Sequence, residues 1–182
     1  MSPTHAQPDR RSPLVFEVHE LGRRAGAMKR IDATVPAPAE LVVGVIGVPE
    51  GSDIELELTL QSVTEGVLVT GMATAQLRGQ CSRCLTGIEG TDSFDIQELY
   101  FYPGNEVDEE ESLVVDETID LEEVLRDTVV LELPFTPLCE DDCLGLCPDC
   151  GFNRNLDPTH THGDRIDPRW SKLTGLTGDT PN

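Results

Sequence analysis

The sequence predicts an α+β protein, built mainly of antiparallel β-sheet or a small open barrel with one packed helix. Three observations lead to this expectation. Short runs rich in apolar residues alternate with turn signals along the first hundred residues. Residues 121–133 carry apolar side chains at helical spacing. Four of the six cysteines lie within residues 139–150, which sets the C-terminal side of the 182-residue chain apart.

Strand signals dominate the first half of the chain. Residues 53–60 alternate between apolar and polar side chains, the period of a strand with one wet face. Residues 14–18 are typical of a short edge strand, whereas the glycine-containing residues 21–30 are typical of a loop. Further strands are predicted over 41–48, 67–77 and 91–102. In the last of these, Phe94, Ile96, Leu99 and Phe101 are expected to face inward.

The helix is predicted over residues 121–133. Asp120 is a suitable N-cap, and Glu123 three residues later completes a capping-box pattern. Pro134 ends the helix. Its apolar face should pack on the sheet through Leu121, Val124, Leu125, Thr128, Val129 and Leu131.

The chain is expected to form one domain over residues 14–176. A flexible, polar tail is expected before it at 1–13, and a disordered tail after it at 177–182. A cysteine-rich segment spans 135–163. Beyond it, Asp167 and Pro168 have the pattern of an N-cap and first helical residue, which predicts a short helix to about residue 176.

Charge is distributed unevenly. The net charge is −21, yet the first 30 residues hold six basic and only three acidic side chains. The acidic excess of the whole chain argues against broad binding to phosphate backbones. Acidic residues are densest at 106–123, which forms either a solvated face or a surface for a basic partner. The proposed basic-partner face consists of Glu109, Glu110, Glu111, Asp116 and Glu117.

The sequence contains neither a signal-like apolar segment near its start nor a run of ~20 apolar residues that would span a membrane. We therefore expect a cytoplasmic protein without a membrane partner. Thiols stay reduced in that compartment, so metal binding is a better explanation of six cysteines than disulfides are.

Two Cys-x-x-Cys pairs have the spacing of zinc knuckles. The pairs are separated by residues 85–146, and together Cys81, Cys84, Cys147 and Cys150 would complete a tetrahedral, structural zinc site. Spacing also permits Cys139 and Cys143 as alternative ligands, either with the first pair or in a local site with the second. The expected content is one zinc ion per chain.

Two other interpretations of the cysteines and of the nearby histidines stay open. His160 and His162 could supply nitrogen ligands to a catalytic zinc, although a solvated turn explains them more simply. A Cys-x-x-Cys pair can also be a redox dithiol, which makes a cytosolic zinc-thiolate or thiol–disulfide protein the alternative function. The chain has no phosphate-binding glycine loop, nucleophile elbow or zinc-protease motif. We therefore expect no enzymatic activity, no catalytic residues and no small-molecule substrate.

Several motifs together resemble one family. They are Leu21-Gly22-Arg23-Arg24-Ala25-Gly26, the Gln80-to-Leu85 knuckle, Leu131-Glu132-Leu133-Pro134, the run from Pro137 to Gly151 and Asp167-Pro168-Arg169-Trp170. Across residues 14–176 they resemble the YceD family, the large ribosomal RNA subunit accumulation proteins. Where a common form reads Cys-Gly-x-Asn-Leu-Asn, this chain continues from Cys150 as Cys-Gly-Phe-Asn-Arg-Asn-Leu-Asp.

The resemblance implies a ribosome-biogenesis factor needed for accumulation of large-subunit ribosomal RNA, with no established enzymatic activity. The implied partner is a large-subunit ribosomal protein and/or ribosomal RNA, or a precursor particle. Some family members lack part of the cysteine set, which implies that the metal supports the fold. Basic residues that could contact RNA are Arg23, Arg24, Lys29, Arg30, Arg78 and Arg83.

Overall fold

Antiparallel pairing of strands with one apolar face generates most of the structure. A computed structural model describes residues 9–104 and 111–162. Its elements are β1 (Val15–Glu17), a 3₁₀ turn (His19–Leu21), β2 (Met28–Pro36), β3 (Val42–Val43), β4 (Ile46–Gly47), β5 (Asp53–Ser62), β6 (Gly66–Gln80), β7 (Gly87–Phe101), β8 (Thr118–Asp120) and α1 (Glu122–Glu132). The predicted class, mainly antiparallel sheet with one helix and a cysteine-rich C-terminal segment, is confirmed.

The main sheet is organised around β6, which has 15 residues. Strand β7 pairs with its full length, from Gly66 opposite Phe101 to Gln80 opposite Gly87. On the other edge, β5 pairs with its first part and β4 with its far end. Strand β2 extends the sheet beyond β5, while β1 and β8 form a separate two-stranded sheet. The turn between β6 and β7 therefore lies at the end of the two longest strands.

The core lies on the inner face of this sheet. The alternation predicted for 53–60 is confirmed, because the four apolar side chains of β5 are at most 2% exposed. In β7 the buried positions are Phe94, Ile96 and Tyr100, whereas Leu99 and Phe101 are only half-buried. The prediction that Leu99 and Phe101 point inward was therefore wrong. Successive side chains of a strand point to opposite faces, so these two residues lie on the face opposite Phe94.

Helix α1 covers the core with a stripe spaced by four residues: Leu121, Leu125, Val129 and Leu133 are all buried. Leu131 was predicted on this stripe but is 80% exposed, because it lies off the i, i+4 row. The Asp120 carboxylate accepts a hydrogen bond from the Glu122 amide at 3.0 Å. The N-cap is nevertheless Leu121 rather than the predicted Asp120, and the helix spans Glu122–Glu132, one residue shorter at each end than predicted.

Two local predictions were wrong, and one strand was not predicted. Residues 41–48 form not one strand but the hairpin of β3 and β4, which turns where Gly44 has a φ of +56°. The loop predicted over 21–30 ends at Met28, where β2 begins. Strand β8 was not predicted, and it pairs with β1.

Some predictions fall outside the described residues. These are most of the N-terminal tail, part of the acidic segment, the helix expected at 167–176 and the tail at 177–182. Within 9–104 and 111–162, none of the helices has the length and apolar character needed to cross a bilayer.

Candidate metal centres

The first Cys-x-x-Cys pair forms the turn between β6 and β7. The Cys81 amide donates to the Thr86 carbonyl at 2.8 Å, and the Leu85 amide donates to the Cys81 carbonyl at 2.9 Å. Leu85 adopts a φ of +60°, which lets the chain turn back into β7. The Arg83 amide lies 3.4 Å from Cys81 Sγ. This turn holds both sulfurs on one side, as expected for a metal knuckle.

The segment after α1 wraps around this turn. The Ser82 amide donates to the Pro137 carbonyl at 2.8 Å, and the Leu146 amide donates to the Arg83 carbonyl at 3.1 Å. The Arg83 guanidinium donates to the Cys143 carbonyl at 3.0 Å. These three bonds bring two further cysteines of the C-terminal segment to the knuckle.

Four sulfurs converge as a result. We call Cys81, Cys84, Cys139 and Cys143 the four-cysteine cluster, and their Sγ atoms all lie within 4.8 Å of one another. Cys81 and Cys143 Sγ are 3.7 Å apart, and Cys84 and Cys139 Sγ are 3.5 Å apart. Tetrahedral zinc with ~2.3 Å zinc–sulfur bonds places its sulfurs about 3.8 Å apart, so the spacing fits the ion. All six cysteines of the chain are free thiols rather than disulfides.

The protonation pattern also suits a cation. Burial acts to raise the pKa of Cys81, but backbone hydrogen bonds from Cys84 and Arg83 outweigh it and lower that pKa to about 6. The Thr86 hydroxyl, 3.2 Å from Cys84 Sγ, is the main cause of the lowered pKa of Cys84. The adjacent Cys84 sulfur and burial raise the pKa of Cys139 to about 12. Thiolates so close together repel one another, and a divalent cation relieves that repulsion.

A side chain from further along the chain completes the surroundings of these sulfurs. Asn155 Nδ2 donates to Cys143 Sγ at 3.2 Å, and Asn155 Oδ1 accepts from the Leu144 amide at 2.7 Å. Such hydrogen bonds stabilise thiolate ligands and fix their orientation. Sequence reasoning did not single out Asn155, since an asparagine two residues after another in a loop gives no signal of its target.

The second pair belongs to a different group. We call Cys147, Cys150, His160 and His162 the Cys2His2 cluster, and their ligand atoms also lie within 4.8 Å of one another. Cys150 Sγ is 3.3 Å from His160 Nε2 and 3.1 Å from His162 Nε2. Cys147 is buried, whereas Cys150 and His162 are exposed.

The single site expected from both Cys-x-x-Cys pairs is therefore not what the fold assembles. Cys81 and Cys84 lie with Cys139 and Cys143, the ligands named as alternatives, and Cys147 and Cys150 lie with the two histidines. The cause is the turn at Gly145, whose φ is +73° and which packs against Arg83, so that a Cβ there would lie 3.2 Å from the Arg83 carbonyl oxygen. The chain turns between Cys143 and Cys147, which divides the six cysteines.

The basic residues named as possible RNA contacts have varied environments. Arg23 lies over the Tyr102 ring at 5.0 Å, and Lys29 pairs with Glu20 at 3.0 Å. Arg78 pairs with Glu89 at 3.5 Å, and Arg83 is bonded into the four-cysteine cluster. Arg24 and Arg30 are exposed. RNA contact by these residues stays a prediction.

The acidic residues named as a partner face are described only in part. Asp116 and Glu117 are exposed at a turn, where both have positive φ. Glu111 is half-buried, and Glu109 and Glu110 lie outside the described residues. Their role as a basic-partner face stays a prediction.

The strand register forms an acidic row that the sequence pattern does not reveal. Asp32 of β2 lies directly opposite Glu57 of β5, and both are exposed. The same row continues through Met72 of β6 to Asp95 of β7. Among the described residues, no cation pairs with these three carboxylates. Like charges directly opposite across strands are destabilising, and only the strand register reveals that they meet.

Comparisons with known proteins identify the family. Residues 69–177, more than half of the chain and including both clusters, match the family model "Large ribosomal RNA subunit accumulation protein YceD". The chain belongs to the YceD family. An uncharacterized protein of Mycobacterium tuberculosis is 45% identical over 172 residues, which covers 92% of this chain and 83% of the relative.

Other relatives give the same result. An uncharacterized protein of Mycobacterium bovis shows the same identity and coverage, and one of Mycobacterium leprae is 44% identical over 176 residues, covering 93% of this chain and 81% of the relative. No solved structure matches the chain. The resemblance to the YceD family drawn from the sequence motifs is thus confirmed.

Proposed function

We propose that this YceD-family protein is a non-enzymatic, cytoplasmic ribosome-biogenesis factor. It supports accumulation of large-subunit ribosomal RNA by binding a large-subunit ribosomal protein and/or ribosomal RNA, or a precursor particle. The observation that carries this proposal is the family match over residues 69–177. In this account the protein acts through its surfaces rather than by chemistry on a substrate.

The exposed face of the main sheet supports a basic partner. Asp32, Glu57 and Asp95 lie in one cross-strand row, and the residues beside Glu57 on β5 include the exposed Asp53 and Glu55. Carboxylates in direct opposition lower stability, and together they create a negative field that attracts cationic side chains. Ribosomal proteins are basic, so their lysine and arginine side chains would relieve this repulsion.

Zinc in the four-cysteine cluster would have a structural role. Its four thiolates occupy all the positions of a tetrahedral ion, so no position is left open for a water molecule or substrate. The bound ion would join the β6–β7 turn to the segment after α1, because Cys81 and Cys84 come from the first and Cys139 and Cys143 from the second. The chain's own contribution is to hold these sulfurs at the right spacing and to donate hydrogen bonds to them.

A thiol–disulfide function is the competing proposal, and the lowered pKa of Cys81 is the observation in its favour. However, Cys81 is fully buried, and exchange with another protein requires that a sulfur from outside the four-cysteine cluster reach it. Thiol labelling of the zinc-loaded protein separates the two proposals. Unreactive cysteines that react after chelation favour structural zinc, and reactive thiols in the loaded protein favour redox chemistry.

Affinity capture with in-cell crosslinking and sequencing tests the binding proposal directly. Tagged full-length protein should recover large-subunit ribosomal proteins, their RNA or precursor particles at low salt, and less of them at high salt, because exposed charge contacts are screened. Ribonuclease treatment then separates protein contacts from RNA contacts.

A charge variant tests which surface is used. The Asp32→Asn/Glu57→Gln variant should recover less partner than wild type, whereas Glu132→Gln, an exposed change at the end of α1, should recover the same amount. Capture without any ribosomal component at low salt would overturn the proposal.

A further inference from the structure

We propose that the Cys2His2 cluster is a second zinc site, which supports the four-cysteine cluster through the loop that it closes. The proposal is independent of the role in ribosomal RNA accumulation. Two thiolates and two imidazoles are a donor set that zinc takes in tetrahedral structural sites. Cys147 and Cys150 come from a tight turn, and His160 and His162 return to it from ten residues further along the chain.

The short distances among the ligand atoms favour a bound cation. His160 Nε2 and His162 Nε2 are 3.0 Å apart, and each lies within 3.3 Å of Cys150 Sγ. When Cys150 is deprotonated and both imidazoles carry their proton on Nδ1, the lone pairs of these three atoms face one another. A zinc ion among them turns this repulsion into three metal–ligand bonds, with Cys147 as the fourth ligand. Two thiolates also balance the charge of the divalent ion.

The surrounding loop is built to present these atoms. The Asp157 carboxylate accepts hydrogen bonds from the Thr159 amide at 2.9 Å and the Thr159 hydroxyl at 2.7 Å. The His160 amide donates to the Asp157 carbonyl at 3.1 Å. The Phe152 ring stacks on the His160 imidazole with a centroid distance of 4.5 Å. The turn and the stacked ring together fix the approach of His160 to the cluster.

The two clusters are connected through the residues between their ligands. The loop from Cys150 to His160 carries Asn155, which donates to Cys143 Sγ at 3.2 Å. It also carries Asn153, whose Nδ2 lies 3.5 Å from the Thr86 hydroxyl that contacts Cys84. Zinc at the Cys2His2 cluster closes this loop and so holds both asparagines against the other site. Loss of such supporting contacts costs about 10–100-fold in metal affinity.

Metal content of the full-length protein, purified without chelators, tests the proposal. Wild type should contain two zinc ions per chain, and the His160→Ala/His162→Ala variant should contain one. The remaining ion should be held at least about tenfold more weakly than in wild type. His19→Ala, which changes an exposed histidine of the 3₁₀ turn, is the control and should keep two ions. His162→Cys should also keep two, because a thiolate replaces the imidazole as ligand.

A second measurement covers the case in which the double variant does not fold. Metal-free wild type titrated with Co²⁺ should bind two equivalents, with distinct visible absorption for four-thiolate and two-thiolate coordination. One equivalent of Co²⁺ or of zinc in wild type, or two zinc ions retained by the double variant, would overturn the proposal. A double variant with one zinc ion of unchanged affinity would refute the connection between the clusters.

Discussion

Replacement of Asn155 by alanine tests how the four-cysteine cluster is supported. The substitution removes a hydrogen bond to Cys143 Sγ at 3.2 Å and one from the Leu144 amide at 2.7 Å. The Leu144 amide is exposed, so water can replace its lost acceptor at little cost. A hydrogen bond to a charged group contributes about 1.5–3 kcal/mol. We therefore expect a loss of about 2 kcal/mol, or roughly 30-fold in metal affinity.

The assay is a competition for Co²⁺ between the full-length protein and a chelator, followed at the absorption of the four-thiolate complex. Asn155→Asp is the companion variant. It keeps an oxygen for the Leu144 amide but places a carboxylate beside the Cys143 sulfur, so its affinity should fall further than that of Asn155→Ala. Gln97→Ala, on the exposed face of β7, should bind as wild type does.

Equal affinities in wild type, Asn155→Ala and Asn155→Asp would refute the reasoning. Such a result would mean that the Asn155 amide does not stabilise the Cys143 thiolate. Loss of affinity in Gln97→Ala as well would show that the assay reports general stability rather than support of the cluster.

Three further predictions concern the sheet and helix, and denaturant unfolding tests each of them. Tyr100→Phe should lower the free energy of unfolding by about 1 kcal/mol, because the hydroxyl donates to the Asp120 carbonyl at 2.8 Å. Burial raises the pKa of Tyr100, so the contribution of its protonated hydroxyl to the free energy of unfolding is complete below pH ~10 and declines above it. A stability difference between wild type and Tyr100→Phe that grows above pH ~10 would contradict this. Leu125→Ala, 1% exposed, should cost about 2–5 kcal/mol, whereas Leu131→Ala, 80% exposed, should change stability by under about 0.5 kcal/mol; equal effects would refute the packing of α1. Glu57→Gln should raise stability by about 0.2–1 kcal/mol by removing a cross-strand repulsion, and a decrease would be evidence against it.

The sequence predicted those parts of the fold in which one local pattern decides the outcome. Strand β5 alternates strictly between apolar and polar residues, so its position and its buried face could both be read directly. Strand β2 shows this alternation only over residues 31–35, and residues 28–30 before it form no apolar face. Only Ile31 and Val35 are buried along it, four residues apart, because the position between them is the small, half-buried Ala33. An edge strand with so little apolar surface resembles a loop until its partner is known.

The candidate site, too, could be predicted from the sequence only in part. Residue type and spacing identified all six cysteines as ligand candidates and named Cys139 and Cys143 as partners for the first pair. The grouping could not follow from spacing, because it depends on hydrogen bonds from Ser82 and Leu146 that wrap one segment around a distant turn. The opposition of Asp32 and Glu57 likewise exists only in the register of two strands.

We propose that this protein supports accumulation of large-subunit ribosomal RNA. The most direct measurement is the ratio of large-subunit to small-subunit ribosomal RNA in cells of the source organism depleted of the protein. This ratio should fall on depletion, wild type should restore it, and the Asp32→Asn/Glu57→Gln variant should restore it less well than Glu132→Gln. An unchanged ratio in fully depleted cells would contradict the claim.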